Sequence, residues 1–274
     1  MAAKKTPEKP PAKASKKPAE KLRSKPAAAE SAPKARTKKK QRVDPAQVAL
    51  TYRKLRERHN DAHCELDHEN AFQLILATVL SAQSTDVMVN KITPELFKRW
   101  PTPKALANAD PAQVELVLSK IGMYRQKTKN VIGLSKRLIA EHGGEVPRTL
   151  AELIQLPGVG RKTANVVLGV AFGTPEGVVV DTHVQRISQR LGWTKHTEPA
   201  EIEQDLMVLF PRSEWDMLSH TLIFHGRRIC AARKPACAAC PVSVECPSAF
   251  NAENVGRKGP SGRRRLAKGV AVGG

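Results

Sequence analysis

Four things are scarce in this sequence: long apolar runs, cysteine, acidic residues and strand-like alternation. No apolar run approaches the roughly 18 residues that a membrane span requires. The most apolar stretches, Leu74–Leu80 and Val166–Phe172, are too short and read as buried helix. Cysteine occurs 5 times, too seldom for a secreted disulfide scaffold of 274 residues. Period-two alternation never extends beyond a few residues, and Val178–Val180 is the one β-branched run, which leaves little material for a sheet. Acids are outnumbered, 26 Asp and Glu against 46 Lys and Arg, for a formal charge of +20. The first lysines are followed by no apolar segment, so no secretory signal is expected there. The prevalence of Lys and Pro over Arg and Ser disfavours a transit peptide.

The basic excess is uneven. Residues 1–42 carry 15 Lys/Arg against Glu8, Glu20 and Glu30, and residues 247–274 carry 6 against Glu253. The segment 1–42 is Lys, Ala and Pro with almost no large apolar side chain. Too little surface can be buried there to offset chain entropy, so a disordered basic tail is expected. Residues 247–274 read as a second basic, flexible tail. The intervening 43–246 hold the folded core, and 41% apolar residues overall are enough to build one. A chain this basic favours a polyanion, because each neutralised phosphate releases condensed counterions. Solubility alone is the bland alternative.

From Val43 to about Phe210 the apolar spacing is helical, as in Phe72, Ile75, Leu76, Val79, Leu80 and again Val114, Leu116, Val117, Ile121. Starts are marked by Asn70 before Ala71 and by Asp110-Pro111, stops by Gly122, Gly143-Gly144 and Gly173. The fold class is all-α. Leu118–Ile132 and Ile154–Val167 echo one another, sharing Gly-x-x-Arg and Lys-Thr-x-Asn-Val, and both read as helix, tight turn, helix.

Leu156-Pro-Gly-Val-Gly160 is the most informative turn. Pro157 stops a helix, and Gly158 and Gly160 permit backbone closed to other residues. Such a turn, residues 156–160, exposes N–H groups at the start of the next helix, where they suit a phosphate. A purely structural turn explains the residues equally well. Arg161 and Lys162 follow in that helix's first turn. A cation is disfavoured there by the helix dipole, so one reading is a site that wants an uncharged, nucleophilic amine, helped by burial. A phosphate-binding lysine is the other reading, and spacing alone favours it. Asp181 is a natural N-cap for a helix from Thr182, and a carboxylate beside an amine can also take its proton. His183 has no evident task.

Cys230-x6-Cys237-x2-Cys240-x5-Cys246 places four thiols within 17 residues, a metal-ligating pattern in a reducing compartment. Only one Cys-x2-Cys pair is present, where zinc ribbons use two. Spacing divides evenly between zinc and a [4Fe–4S] cluster. Arg233-Lys234, between the first two cysteines, form a basic loop able to meet a phosphate backbone, or a merely solvated one. Cys64 reads as an isolated reduced thiol.

Taken together, Leu80-Ser-Ala-Gln-Ser-Thr-Asp86, Ile121-Gly-Met-Tyr124, Leu156–Val167, Val180-Asp-Thr-His-Val184, His225-Gly-Arg227 and the four cysteines resemble the endonuclease III family of DNA glycosylases, in order and across about 43–246. The resemblance implies a two-lobe, all-α, helix–hairpin–helix fold. A six-helix barrel lobe would span about 70–180. A second lobe would combine 43–69 with 181–246 and carry a [4Fe–4S] cluster on Cys230, Cys237, Cys240 and Cys246. It implies a bifunctional glycosylase and lyase that removes oxidised pyrimidines from double-stranded DNA and also cuts abasic sites, with no membrane partner. The enzyme would be an intracellular monomer located with genomic DNA, in the cytoplasm or nucleoid if the cell is bacterial.

By the same resemblance Lys162 would be the nucleophile and Asp181 its partner. Gln83 would fill the space left by a flipped nucleotide and Met123, at a position often held by Leu, would wedge the opposite strand. Gly158, Gly160, Arg161, Arg233 and Lys234 would contact the DNA backbone. In the related adenine-glycosylase branch, Ser usually replaces this lysine and a catalytic Glu lies in the first core helix, where this chain has Leu76-Ala-Thr-Val-Leu80. A non-catalytic DNA-binding module would explain the charge, the hairpin and the cysteines. It would leave the joint presence of Lys162 and Asp181 in their motifs unexplained. A related glycosylase with another base preference is the third reading.

Overall fold

The computed structural model describes residues 44–255; the expected tails at 1–42 and beyond 255 lie outside the described residues. Among the described residues eleven α-helices follow one another: α1 (Pro45–Arg58), α2 (Ala71–Leu80), α3 (Asp86–Arg99), α4 (Pro103–Ala107), α5 (Pro111–Leu118), α6 (Tyr124–His142), α7 (Leu150–Leu153), α8 (Arg161–Phe172), α9 (Thr182–Arg190), α10 (Pro199–Leu209) and α11 (Trp215–Arg228). No strand occurs among the described residues, and Val178–Val180 run as irregular chain.

Local sequence sets most of the helix ends. Asn70 caps α2 by accepting from the N–H of Gln73 at 3.0 Å, and Asp110 caps α5 ahead of Pro111. Gly143 and Gly173 end α6 and α8 in the left-handed conformation. Gly122 is a different case. Helix α5 already ends at Leu118, capped by Ser119, and the left-handed residue before α6 is Met123 (φ 57°). The echoed segments both form helix, turn, helix, as α5–α6 and α7–α8.

Two apolar clusters form. The first runs from Leu66 to Leu168 and draws on α2 through α8. Helix α2 lies within it, with only Gln73 and Thr78 polar; Leu74, Ile75, Leu76 and Leu80 are wholly buried, each stabilising the fold by about 2 kcal/mol. The second joins Val48, Tyr52 and Leu55 of α1 to Val178, the apolar faces of α9, α10 and α11, and Val242, with Cys230, Cys240 and Cys246 packed against it. Helix α8 packs on α2, and α9 on α11. Folded backbone continues past the expected boundary at 246. Ala252 is buried in a short 3-10 turn, and the carbonyl of Val255 accepts from Arg190 Nε at 3.0 Å. Ala249 and Ala252 of this segment line the cavity beside the cysteines.

Candidate functional site

The turn 156–160 connects α7 to α8. Gly158 sits at φ +79°, and a Cβ there would lie 2.8 Å from the Asn130 amide nitrogen, so glycine is required twice over. Gly160 has ordinary extended geometry with open space around its Cα. It caps α8 without a side-chain bond, so no cap side chain covers the first-turn N–H groups. Arg161 is exposed, yet its charged end is held. Its guanidinium forms a two-pronged ion pair with the buried Glu203 of α10, at 2.8 and 3.0 Å, tying the hairpin to the second cluster.

Lys162 stands exposed in the first turn of α8, so the burial expected for it can come only from a bound partner. Asp181 caps α9, and both cap bonds, from the N–H groups of His183 and Val184 at 2.8 Å, land on Oδ1. Oδ2 is left without a partner among the described residues. No hydrogen bond joins Lys162 to Asp181, yet the two share a neighbourhood. Burial raises the pKa of Asp86, at the start of α3; Lys162 pulls it back down and Asp181 pushes it further up. His183 feels the same pair: burial holds its imidazole below the ordinary value, Asp181 raises it and Lys162 lowers it. An amine at one helix start and a carboxylate at another thus flank Asp86 and His183 from opposite electrostatic sides.

Asp86 opens onto a cleft of about 610 Å³ lined by His63, Glu65, Ser84, Asn90 and Arg227, among others. Arg227 of α11 spans it, pairing with Asp86 at 2.8 Å and with Glu65. Sequence reasoning assigned no role to Asp86 or Arg227. An acid in a first helical turn reads as a complement to the dipole, and only packing brings the two residues together.

Gln83 and Met123 are both exposed and both left-handed, at φ 54° and 57°. Their turns touch: a Cβ on Gly122 would stand 3.8 Å from the carbonyl of Gln83. Arg233 and Lys234 are exposed on the loop between the first two cysteines, and Lys234 has a left-handed backbone at φ 50°.

Cys230, Cys237, Cys240 and Cys246 line one cavity with Arg190, His225 and Ala252. Burial, and then the neighbouring thiols, push Cys240 up to about 11. The buried Arg190 donates to the sulfur of Cys230 at 3.2 Å and to the carbonyls of Cys230, Ala231 and Ala232. His225 stands 3.7 Å from Cys240 Sγ, and its other ring nitrogen meets His59 at 3.1 Å. Among the described residues no three His, Cys, Asp or Glu close on one point as a single ion needs. The four thiols line one cavity as a soft donor set, the kind that both iron–sulfur and zinc sites use.

Residues 76–212 match the family profile of HhH-GPD superfamily base excision DNA repair proteins. The chain is 50% identical over 211 residues to endonuclease III of Synechocystis sp., covering 77% of this chain and 94% of that one. It superposes on a solved non-covalent endonuclease III–DNA complex with TM-score 0.72 and 42% identity, covering 77% of this chain and 98% of that chain. It also superposes on a trapped endonuclease III–DNA covalent intermediate, with TM-score 0.72 and 43% identity, covering 77% of this chain and 99% of that chain.

Proposed function

The chain belongs to the HhH-GPD superfamily of base excision DNA repair proteins and, within it, to the endonuclease III family, and on that footing we propose that Lys162 and Asp181 carry its glycosylase and lyase chemistry on oxidised pyrimidines. The enzyme is a bifunctional DNA glycosylase and abasic-site lyase acting on duplex DNA. Among the described residues no helix is long and apolar enough to cross a membrane.

What supports the assignment is that Lys162 lies exposed in the first turn of α8, that Asp181 caps α9 through Oδ1 with Oδ2 left over, and that both charges act on Asp86 and His183. The mechanism requires a deoxyribose C1′ to fit between Lys162 and Asp181. First-turn N–H groups of α8 hold a phosphate, with Arg161 contributing its N–H because its guanidinium is committed to Glu203. Arg233 and Lys234 hold the backbone further along. The flipped nucleotide covers Lys162 and excludes water from it. Asp181, fixed through Oδ1, uses Oδ2 to accept the lysine proton and to stabilise positive charge on the sugar. The lysine nitrogen attacks C1′ as the C1′–base bond breaks, and the departing base takes up a proton. The C1′–O4′ bond then opens, with O4′ taking up a proton, and leaves an imine between C1′ and the lysine nitrogen; the imine acidifies the C2′ proton, whose removal expels the 3′ phosphate and cuts the strand.

Cys230, Cys237, Cys240 and Cys246 would hold the [4Fe–4S] cluster that the family resemblance implies. Bound there, the cluster would brace the loop that presents Arg233 and Lys234. Arg190 would place positive charge against the Cys230 thiolate.

Borohydride reduction on a thymine-glycol duplex tests the reading. The wild-type chain should yield a covalent protein–DNA adduct and Lys162→Ala none, with strand cutting reduced by roughly 10⁴-fold or more. An adduct that survives in Lys162→Ala removes Lys162 as the nucleophile.

A further inference from the structure

Lys127, in the first turn of α6, is 2% exposed. Its ammonium donates to Ser84 Oγ at 2.8 Å, and no carboxylate of the described residues pairs with it. Burial alone pushes its amine below the ordinary lysine value. A methionine of similar shape would fill the same space without removing a charge from water, so core stability does not account for a lysine here. What the lysine does is geometric. Its backbone N–H donates to the carbonyl of Met123 at 3.0 Å, and its side chain holds the residue that follows Gln83. One residue therefore grips both turns. Those are the turns whose exposed residues, Gln83 and Met123, adopt the left-handed backbone that side chains rarely take. Such strain persists only where the surroundings over-determine it.

We propose that Lys127 is a positioning residue that locks the Gln83 and Met123 turns in one mutual register, so that both side chains enter the duplex together when a nucleotide is extruded. This rests on the reading above, in which Gln83 fills the vacated space and Met123 wedges the opposite strand. Duplex opening should depend on Lys127, whereas chemistry on a strand that needs no opening should depend on it far less.

The full-length chain is compared with Lys127→Met and Ser84→Ala on two substrates, a thymine-glycol duplex and a single-stranded oligonucleotide with an abasic site. Fluorescence of a 2-aminopurine placed beside the lesion reports extrusion. Both variants should lose about tenfold to a hundredfold in single-turnover cutting of the duplex, together with the fluorescence rise. On the single strand each should lose much less. Ser84→Ala removes the acceptor with little risk to folding, and it decides the matter alone if Lys127→Met does not fold. Equal losses on both substrates, or duplex rates unchanged in Ser84→Ala, overturn the proposal. A wild-type chain that cuts neither substrate sinks the repair reading, and this inference falls with it.

Discussion

Asp181 serves two purposes that substitution can separate. Its Oδ1 caps α9 through two 2.8 Å bonds, a task Asn performs as well as Asp. Asp181→Asn should therefore leave the melting free energy within about 0.5 kcal/mol while base release falls by about 10²–10⁴-fold, whereas Asp181→Ala should also cost about 1 kcal/mol of stability. Parallel chemical denaturation and single-turnover base release check both halves. His183 gives a pH signature. Burial depresses its folded pKa, with Asp181 opposing. A depressed folded value means the unfolded chain takes the proton first, so this stabilisation is present above about pH 6.5 and is lost as pH falls below it. Between pH 7.5 and 5.5, His183→Gln should show a flatter dependence of unfolding free energy than wild type; an identical slope would contradict the assignment. At this scale the sequence was only partly legible. Asp181 as a cap follows from its neighbours alone. Leu116 fits the helical apolar spacing yet is 66% exposed, because the stripe is occupied by Val114, Val117 and Leu118.

The two hairpin glycines differ at the level of the element. Gly158 is bound by its own φ and by Asn130, whereas Gly160 has room for a methyl group. Gly158→Ala should destabilise the fold by about 1–2 kcal/mol. Gly160→Ala should cost less, about 0.5 kcal/mol for the poorer N-cap, and still weaken DNA binding, because the ligand needs that space. Thermal melts with equilibrium binding at fixed salt distinguish them; equal stability losses would mean that the second glycine is structural too. The turn itself was readable from Pro157 and its flanking apolar pattern. The partner of Arg161 was not, since Glu203 lies on α10, 42 residues later. Gly226 is a similar case: His183 and Arg186 press within 2.9 Å of where its Cβ would be, a contact made only by packing α9 on α11.

For the molecule as a whole, the cysteine cavity makes the most direct prediction. Purified protein should be brown and carry about four irons per chain. Cys237→Ala should lose the visible absorbance, lower the melting temperature and weaken binding to undamaged duplex through disorder of the Arg233–Lys234 loop. Colourless protein with one zinc per chain would refute the cluster. Beside that cavity the fold runs on to Val255: Ala252 lines the cavity, and Arg190 joins Val255 to the cysteine loop.

Sequence by itself determined whatever depends on a residue and its next few neighbours: helix caps, the glycine hairpin, the apolar stripes and the four-cysteine spacing. These are short-range choices of backbone angle and burial, and each carries its own energetic signature along the chain. Tertiary structure alone decided which charges meet. Asp86 and Arg227 pair across 141 positions, Lys127 reaches Ser84 across 43, and the amine of Lys162 shares a neighbourhood with the carboxylate of Asp181. Coulomb interactions and hydrogen bonds act over a few ångströms of space whatever the separation along the chain, so they become definite only after the helices have packed.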